Sequence, residues 1–390
     1  MKKFSQWHIS KELVSSVILF ACVFIALIIS NIEVTYEYYK IFTRLKIYVG
    51  IGNQGENYIN KTVIDWVNEG FMAFFFFMLG LSMKYSMYLG EFQNKKRLLL
   101  PIFAAAGGFL MPATIYYFIN IDNPESLRGI AIPVATDTAF VLAIIAFFGD
   151  KISNSLKIFI IGLSIIDDIF AVTTLSLFYT DNIVISQLLM CAIPLFLLSL
   201  LNINKIKLKS LYFICLAILW IFIVNAGVQG TIAGLITAFF IPTEIEEGNK
   251  TIEFLKDMEY TVNDFVAFFV LPAFALVNCE LPLKDLSITD LSSPIAKGAF
   301  FGLFIGKPLG IFTFSKIAIK LNLCKAPRDS NYTQMLGVAI LCGIGFTLSL
   351  FIGLQAFDTL HHHNQMKLGV FLSCFLSGIL GSLVVYKGLK

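Results

Sequence analysis

Charged residues are scarce in this sequence. Only 14% of its 390 residues are Asp, Glu, Lys or Arg, while 57% are hydrophobic. A soluble domain carries about a quarter charged residues, because polar side chains must cover most of a surface that faces water. This shortage excludes an ordinary soluble protein and indicates that lipid replaces much of the water. The net charge of +3 leaves no concentrated basic surface, which excludes a nucleic-acid partner.

Linkers, redox motifs and nucleotide motifs are also missing. No Ser-, Gly- or Pro-rich stretch and no long charge block divides the chain, which favours a single transmembrane domain over residues 1–390. The seven cysteines show no Cys-x-x-Cys spacing, so small reduced side chains within apolar runs explain them. The sequence has neither a Gly-rich phosphate loop nor a nucleophile elbow. We therefore expect no enzyme, no ATP-driven pump and no cofactor.

Long apolar runs are what the sequence has instead. A membrane-spanning helix needs about 20 mostly apolar residues, and in lipid a continuous apolar run satisfies its backbone as a helix. The run 210–243 is long enough for two spans, with a turn at Asn225-Ala226-Gly227. We predict an all-α integral membrane protein with about twelve transmembrane helices, at residues 13–32, 62–83, 98–121, 129–149, 152–180, 182–204, 210–243 (two spans), 254–279, 294–315, 330–357 and 368–386.

The basic residues between these runs are distributed unevenly. Twelve spans place both chain ends on the same side. With the N-terminus inside, most Lys and Arg then fall in cytoplasmic loops, as the positive-inside rule requires. The sequence thus predicts a multi-pass inner-membrane protein with both termini in the cytoplasm. The cytoplasmic clusters are Lys84/Lys95/Lys96/Arg97, Lys205/Lys207/Lys209 and Lys316/Lys320/Lys325/Arg328.

Some ionisable residues fall inside the apolar runs themselves. A charge at mid-span costs about 2.5–3.5 kcal/mol on insertion scales, so such residues must face one another, backbone dipoles or water. They are the first candidates for a functional site. The mid-span residues are Asp137, Asp167, Asp168 and Lys307, and those nearer the span ends are Glu69 and Glu259.

Asp167 and Asp168 form an adjacent acidic pair with apolar residues on both sides. Neighbours on a helix point about 100° apart, so the two carboxylates can flank one polar cavity. Two carboxylates that share a low-dielectric site cannot both ionise freely. Protons and a hard cation such as Na⁺ then compete for the same oxygens, which is the basis of an ion–proton exchanger. The alternative is a structural pair held by hydroxyl groups.

The segment Ile132 to Thr138 has the features of an interrupted helix. Pro133 lacks a backbone donor and leaves a carbonyl unpaired, and the hydroxyl of Thr136 can bond to such loose backbone groups. Half-helix ends would then meet near the middle of the membrane. Asp137 could compensate the exposed N-terminal helix dipoles or ligate an ion directly.

A second break is predicted at Gly343-Ile344-Gly345, in a stretch without charges. The two breaks occupy corresponding places in two repeat halves, about residues 98–180 and 294–386, and this pattern indicates a transporter binding site. Lys307 supplies a buried positive charge that could pair with Asp167 or face the C-terminal ends of half-helices. A buried lysine can also carry a transported proton itself.

Several stretches of the sequence resemble the NhaA family of sodium/proton antiporters. They are IPVATDTAF from Ile132 to Phe140, LKIFIIGLSIIDDIFA from Leu156 to Ala171, and GLFIGKPLG from Gly302 to Gly310 joined to GVAILCGIGFTLSLF from Gly337 to Phe351. Weaker similarity covers nearly the whole chain in the same order. The resemblance implies twelve transmembrane helices, an inverted-topology repeat and two crossed, interrupted helices near residues 137 and 345.

The resemblance also implies roles for single residues and a function. Asp167 and Asp168 match the pair that binds Na⁺ and protons, and Thr136 matches the hydroxyl beside that pair. Asp137 and Lys307 match the charges that balance the crossed helix ends. The implied function is electrogenic exchange of two protons for one Na⁺ or Li⁺ by alternating access, for sodium and pH homeostasis across a bacterial inner membrane. These ions would be transported substrates, and a homodimer is a further expectation.

Two departures from the family's pattern concern regulation by pH. After Gly80-Leu81 the family has Glu-Val-Lys-Arg-Glu, whereas here Ser82-Met83-Lys84-Tyr85-Ser86 keeps only the lysine. The family's Gly-Val-His-Ala-Thr is here Gly227-Val228-Gln229-Gly230-Thr231, which lacks a histidine able to titrate near neutral pH. We expect that exchange survives with altered or weak pH gating, and that Glu259 is the remaining candidate for pH regulation.

Other functions fit parts of this pattern. A passive cation channel would use similar carboxylates, and a membrane sensor or scaffold could keep the fold without transport. A symporter of organic anions is disfavoured because no paired cationic residues lie in mid-membrane. The run His361-His362-His363 could suggest a metal site, but three consecutive residues cannot all face one ion. We predict a solvated outside loop there.

Overall fold

Helices and two short hairpins make up the described chain. The computed structural model describes residues 2–50, 58–90, 95–178, 184–247 and 250–389. The first ten helices are α1 (Lys2–Asn31), α2 (Glu33–Thr43), α3 (Val63–Asp65), α4 (Met72–Tyr88), α5 (Lys95–Asn120), α6 (Pro124–Leu127), α7 (Thr138–Ala146), α8 (Asn154–Phe178), α9 (Ile185–Met190) and α10 (Ala192–Ile203). The next ten are α11 (Lys209–Asn225), α12 (Thr231–Phe239), α13 (Phe254–Phe265), α14 (Leu271–Asn278), α15 (Ile288–Leu291), α16 (Pro294–Phe301), α17 (Lys307–Lys320), α18 (Tyr332–Leu341), α19 (Phe346–Ala356) and α20 (Leu360–Gly388).

Each hairpin pairs two neighbouring strands antiparallel. In the longer one, β1 (Lys46–Gly50) lies against β2 (Tyr58–Thr62), with Lys46 opposite Thr62 and Gly50 opposite Tyr58. In the shorter one, β3 (Ile245–Glu247) pairs with β4 (Lys250–Ile252). These strands are short and partly polar, so a search for long apolar runs does not find them.

The helical membrane architecture predicted from the apolar runs is confirmed. Among the described residues, nine helices are long and apolar enough to cross a membrane, or ten if the bent pair α18–α19 counts as one span. The two remaining predicted spans hold the helices α11 and α12, and Gly227 turns the chain between them with φ +77°, as predicted. Twelve complete crossings stay a prediction. The end of span 152–180 and the start of span 182–204 lie outside the described residues.

The chain divides into two compact units. The first unit contains Met1–Ser16, Leu89–Tyr179 and Asp285–Lys390, and the second contains Val17–Tyr88 and Thr180–Lys284. Apart from residue 180, both predicted repeat halves belong to the first unit. Each half runs in the same order, from a long helical segment through an interrupted helix to a second long helix. The inverted symmetry of the two halves stays a prediction.

Glycines allow close helix packing in the first unit. A Cβ atom added to Gly107 of α5 would lie 2.2 Å from the carbonyl oxygen of Gly310 in α17, and one added to Gly310 would lie 2.0 Å from that of Gly107. Such small residues let two backbones touch, which is how membrane helices gain packing energy. The contact fixes α17, whose first residue is Lys307, against α5.

A buried lysine shapes the second unit. Lys84, counted above among the loop cations, is only 7% exposed. Its Nζ donates hydrogen bonds of 2.6 Å to the carbonyl oxygens of Phe239 and Ile241, where α12 ends. A cation at the C-terminal end of a helix compensates the helix dipole, so Lys84 stabilises the end of this short helix.

The histidine run is helical, and the predicted loop is wrong. His361, His362 and His363 lie in the first turn of α20, where the Oγ1 of Thr359 accepts the backbone N–H of His362 at 3.3 Å. This N-cap satisfies a helix end that would otherwise lack partners. The sequence alone does not show that the helix begins here, because polar residues before an apolar run resemble a loop.

Candidate functional site

The two interrupted helices contact each other at their breaks. The first break lies between the 3₁₀ turn Ile132–Val134 and α7, and the second between α18 and α19, which are bent by 42°. The backbone N–H of Asp137 donates to the carbonyl oxygen of Ile344 at 2.7 Å. The Oγ of Ser349 donates to the carbonyl oxygen of Ile132 at 2.6 Å. Each break therefore satisfies backbone groups that the other leaves without helical partners.

Asp137 lies between the starts of two helices. It directly precedes α7, and its Oδ2 accepts two hydrogen bonds from Thr347 in the first turn of α19, at 3.1 Å from the backbone N–H and 2.7 Å from Oγ1. The side chain is buried. A carboxylate at helix N-termini is stabilised by both dipoles. This is the geometry that the dipole-compensating alternative requires.

Asp167 and Lys307 form an ion pair within the first unit. Lys307 Nζ lies 2.9 Å from Oδ2 of Asp167, and both side chains are 0% exposed. Lys307 Nζ also donates to the carbonyl oxygen of Val134, the last residue of the 3₁₀ turn. The two alternatives predicted for Lys307, pairing with Asp167 and facing a half-helix end, are thus realised by the same ammonium group.

A π-helical turn precedes Lys307. The turn spans Gly302–Gly306, and α17 begins at Lys307 directly after it. A π turn adds one residue to the helical repeat and is frequent at functional sites. Because the inserted residue rotates all later side chains around the helix axis, it helps to decide which face of the span Lys307 occupies.

Thr136 supplies a hydroxyl to the same carboxylate. Its Oγ1 lies 2.7 Å from Oδ2 of Asp167 and 3.2 Å from the carbonyl oxygen of Cys342. A threonine hydroxyl has one proton to donate, and a hydrogen bond to an ionised acceptor is the shorter and stronger one. Thr136 therefore donates to Asp167. The structure brings Thr136, Asp167 and Lys307 together.

Two carboxylate oxygens of the acidic pair have no hydrogen-bond partner among the described residues. They are Oδ1 of Asp167 and Oδ1 of Asp168, and both side chains are buried. A buried acceptor without a partner costs about 1–3 kcal/mol, and more when it is charged. Carboxylate oxygens are ligands for hard cations and also sites for protons. The acidic pair can therefore bind either of them.

Glu259 belongs to the second unit and is not part of this cluster. It lies in α13 and accepts a hydrogen bond from the Oγ of Ser82 in α4. Ser82 is one of the residues at which this sequence departs from the family's charged stretch. Gln229, which replaces the family's histidine, is buried in the same unit, and neither of its amide atoms has a hydrogen-bond partner among the described residues.

Sequence analysis missed several contributors to the cluster. Thr347 donates both hydrogen bonds to Asp137, and no role was predicted for it from the sequence. The carbonyl oxygens of Val134 and Cys342 have no side-chain signal at all, because any residue carries one. A hydroxyl-bearing residue two positions after Gly343-Ile344-Gly345 in an uncharged span is the one signal that could have indicated Thr347.

Known proteins are similar in sequence to this chain over nearly its whole length. The family model described as Na⁺/H⁺ antiporter 1 matches residues 6–385. A protein of Campylobacter jejuni subsp. jejuni serotype O:23/36 (strain 81-176) named Na(+)/H(+) antiporter NhaA 1 is 40% identical over 371 residues, covering 95% of this chain and 94% of the relative. A protein of Rickettsia massiliae (strain Mtu5) named Na(+)/H(+) antiporter NhaA is 42% identical over 365 residues, covering 93% and 89%.

Proposed function

The chain belongs to the Na⁺/H⁺ antiporter 1 family, and on that premise we propose that it exchanges sodium ions for protons across a bacterial membrane. The observation that carries the proposal is the buried pair Asp167 and Asp168, each with one oxygen that lacks a partner among the described residues. Such a pair accepts a metal ion or protons, and each displaces the other. Competition for one site, combined with access from alternating sides, is sufficient for exchange.

The ion pair of Asp167 with Lys307 provides a route to exchange two protons per sodium ion. One proton belongs to Asp168. The second proton is carried either by Asp167 or by Lys307. Lys307 is a candidate because a sodium ion that binds Asp167 weakens the attraction between its carboxylate and the ammonium group 2.9 Å away. Unequal charge exchange makes the transport electrogenic.

The proposed setting follows from the helices and the charge pattern. The protein lies in the inner membrane with both termini in the cytoplasm. It transports Na⁺ or Li⁺ outward and protons inward, and it works as a secondary active transporter without a cofactor. Two crossed, interrupted helices within a single transmembrane domain carry the site, and Asp137 balances the starts of α7 and α19. A homodimer is the proposed assembly.

The test is a proteoliposome assay with a pH-sensitive dye. Sodium added to vesicles that contain the wild-type protein should produce proton movement in the opposite direction. Addition of valinomycin and K⁺, which dissipates the membrane potential, should speed this movement if the exchange is electrogenic. A passive channel gives sodium flux without proton counterflow, and a scaffold gives neither. No dependence on valinomycin would indicate exchange of one proton per sodium ion.

Asp168→Asn should abolish sodium-dependent proton movement and leave the yield and the thermal midpoint of the purified protein unchanged. The physical reason is that asparagine neither ionises nor binds a cation strongly. The matched control is Asp358→Asn, which makes the same change at a side chain that is 87% exposed. Normal exchange by Asp168→Asn would contradict the assignment of the site.

A further inference from the structure

Ser164 lies one helical turn before the acidic pair on α8. Residues three and four positions apart share a helix face, so Ser164 shares its face with both Asp167 and Asp168. Its side chain is 1% exposed, and its Oγ has no hydrogen-bond partner among the described residues. A serine in an apolar span has no distinctive pattern, so the sequence alone does not indicate this residue.

Several other hydroxyls in the helices of this protein form a local hydrogen bond, whereas the buried Oγ atoms of Ser315 and Ser377 resemble that of Ser164 in having no partner among the described residues. On the same helix, Thr173 and Thr174 donate to the carbonyl oxygens four residues earlier at 2.7 Å. On α20, the Oγ of Ser382 donates to the carbonyl oxygen of Gly378 at 2.6 Å. This local bond is the usual way to satisfy a hydroxyl in a membrane helix. The Oγ of Ser164 does not form this bond, although a buried hydroxyl without a partner costs about 1–3 kcal/mol.

Three oxygens without a hydrogen-bond partner in the described part of the chain therefore occur within five residues of one helix: Oγ of Ser164, Oδ1 of Asp167 and Oδ1 of Asp168. Oδ2 of Asp167 is already held by Lys307 and Thr136, so Oδ1 is the atom of that carboxylate left for a ligand. Gly108 faces it from α5, where even an added Cβ atom would be 3.8 Å from Oδ1. Gly108 itself therefore adds no side-chain atom beside this oxygen.

We propose that Ser164 Oγ is a third oxygen ligand of the transported cation, beside Oδ1 of Asp167 and Oδ1 of Asp168. The inference rests on the proposed exchange function and adds a specific residue to it. Hard cations bind several oxygens at once, neutral as well as charged, at about 2.0–2.6 Å. Oxygens that surround a cation do not hydrogen-bond to one another, which explains three unpaired oxygens on one helix face.

The neutral hydroxyl has a different effect from the carboxylates. Protons and the cation compete for Asp167 and Asp168, whereas Ser164 binds the cation and does not take up a transported proton. Loss of this hydroxyl therefore weakens the binding of the cation and leaves the binding of protons unchanged. The apparent KM for sodium should rise, and it should rise most at low pH, where protons compete most strongly. The maximal rate and the number of protons exchanged should stay as they are.

The experiment measures Na⁺-dependent proton movement by Ser164→Ala in proteoliposomes at several pH values. We expect the apparent KM for Na⁺ to rise about tenfold, the fold-change that corresponds to one ligand contact of about 1.4 kcal/mol, with the maximal rate within about twofold. Ser164→Thr keeps a hydroxyl and should retain the wild-type KM within about threefold. Ser382→Ala removes a hydroxyl that is satisfied within α20 and should change neither quantity.

A second readout covers the case in which Ser164→Ala does not fold. Ser164→Cys keeps the shape, and its sulfur is a poor ligand for hard cations. The rise in thermal midpoint that Na⁺ produces in the purified wild-type protein should then be reduced in this variant. A wild-type KM in Ser164→Ala, or a wild-type sodium-induced rise in the thermal midpoint of Ser164→Cys where Ser164→Ala does not fold, would overturn the role of Ser164. Either result would leave the proposed exchange function unaffected. If the wild-type protein itself shows no sodium-dependent proton movement, the proposed function fails together with this inference.

Discussion

At the scale of single residues, the two oxygens of the Asp167 carboxylate have different surroundings. Oδ2 accepts a hydrogen bond from Thr136 Oγ1 and forms an ion pair with Lys307 Nζ, while Oδ1 has no partner among the described residues. One oxygen thus holds the side chain in place, and the other remains available to an ion. An Asp pair held only by hydroxyls, the structural alternative, would have had both of its oxygens satisfied.

Thr136→Val tests the contribution of the hydroxyl that donates to Asp167. Valine keeps the shape of threonine but cannot donate to Oδ2. A hydrogen bond to a charged group contributes about 1.5–3 kcal/mol, so a cation that depends on the orientation of Asp167 should bind about ten times more weakly or worse. The measurement is the apparent KM for Na⁺ in proteoliposomes.

Thr136→Ser should restore most of the affinity, because it keeps the donor. Thr173→Val is the matched control, since Thr173 is exposed and donates only to the carbonyl oxygen of Ile169. An unchanged KM in Thr136→Val would show that Asp167 is oriented by Lys307 alone.

At the scale of helices, the site depends on breaks and on small residues. Asp137 reaches Thr347 and Ile344 only because neither break continues as a regular helix. Lys307 reaches Asp167 from a helix that glycine contacts fix against α5. Interrupted backbone is tolerated at membrane depth where protein groups satisfy it. The hydrogen bonds between the two breaks provide that satisfaction here.

Gly107→Ala should destabilise the protein through the contact of α5 with α17. The added Cβ atom would lie 2.2 Å from the carbonyl oxygen of Gly310, so the helices must separate, at a cost of about 1–3 kcal/mol. We expect a lower thermal midpoint and slower exchange, because α17 carries Lys307. Differential scanning fluorimetry and the vesicle assay measure the two effects.

Gly378→Ala is the control for that substitution. Its Cβ atom would have no neighbour nearer than 3.9 Å, and alanine has a higher helix propensity than glycine by about 1 kcal/mol. Its thermal midpoint should be unchanged or higher. A Gly107→Ala variant as stable as Gly378→Ala would mean that the two backbones are not packed as described.

At the scale of the whole molecule, the ionisable groups divide between the two units. The first unit contains the acidic pair, Asp137 and Lys307, and the second contains Glu259 together with Gln229, whose amide does not ionise. In the second unit Glu259 is bonded to a serine hydroxyl, and no histidine stands at position 229. Regulation by pH therefore has fewer titratable groups available than the family's pattern provides.

We expect a shallow dependence of exchange on pH. Neither Ser82 nor Gln229 changes charge between pH 6 and 9, so activity should change gradually as protons and sodium compete at the acidic pair. The measurement is exchange rate against pH in proteoliposomes, compared with Gln229→His, which should steepen the profile near neutral pH. A wild-type profile as steep as that of a histidine-containing relative would contradict this expectation.

The sequence by itself determined the helical membrane fold, the approximate positions of the spans and the identity of the acidic pair. Hydropathy and the cost of a charge in lipid are properties of short stretches of chain, so they can be seen without a structure. Both breaks were predictable for the same reason, since Pro133 and the pair Gly343 and Gly345 act locally on the backbone.

Only the tertiary structure decided which groups meet. Asp137 and Thr347 are 210 positions apart, and Lys307 and Val134 are 173 apart, so no local pattern links them. The backbone carbonyl of Val134 that accepts a hydrogen bond from Lys307 is a group that every residue carries, so it gives no signal in the sequence. That oxygens of Ser164, Asp167 and Asp168 have no partner among the described residues is a property of the tertiary structure, because it depends on every donor that lies near each atom.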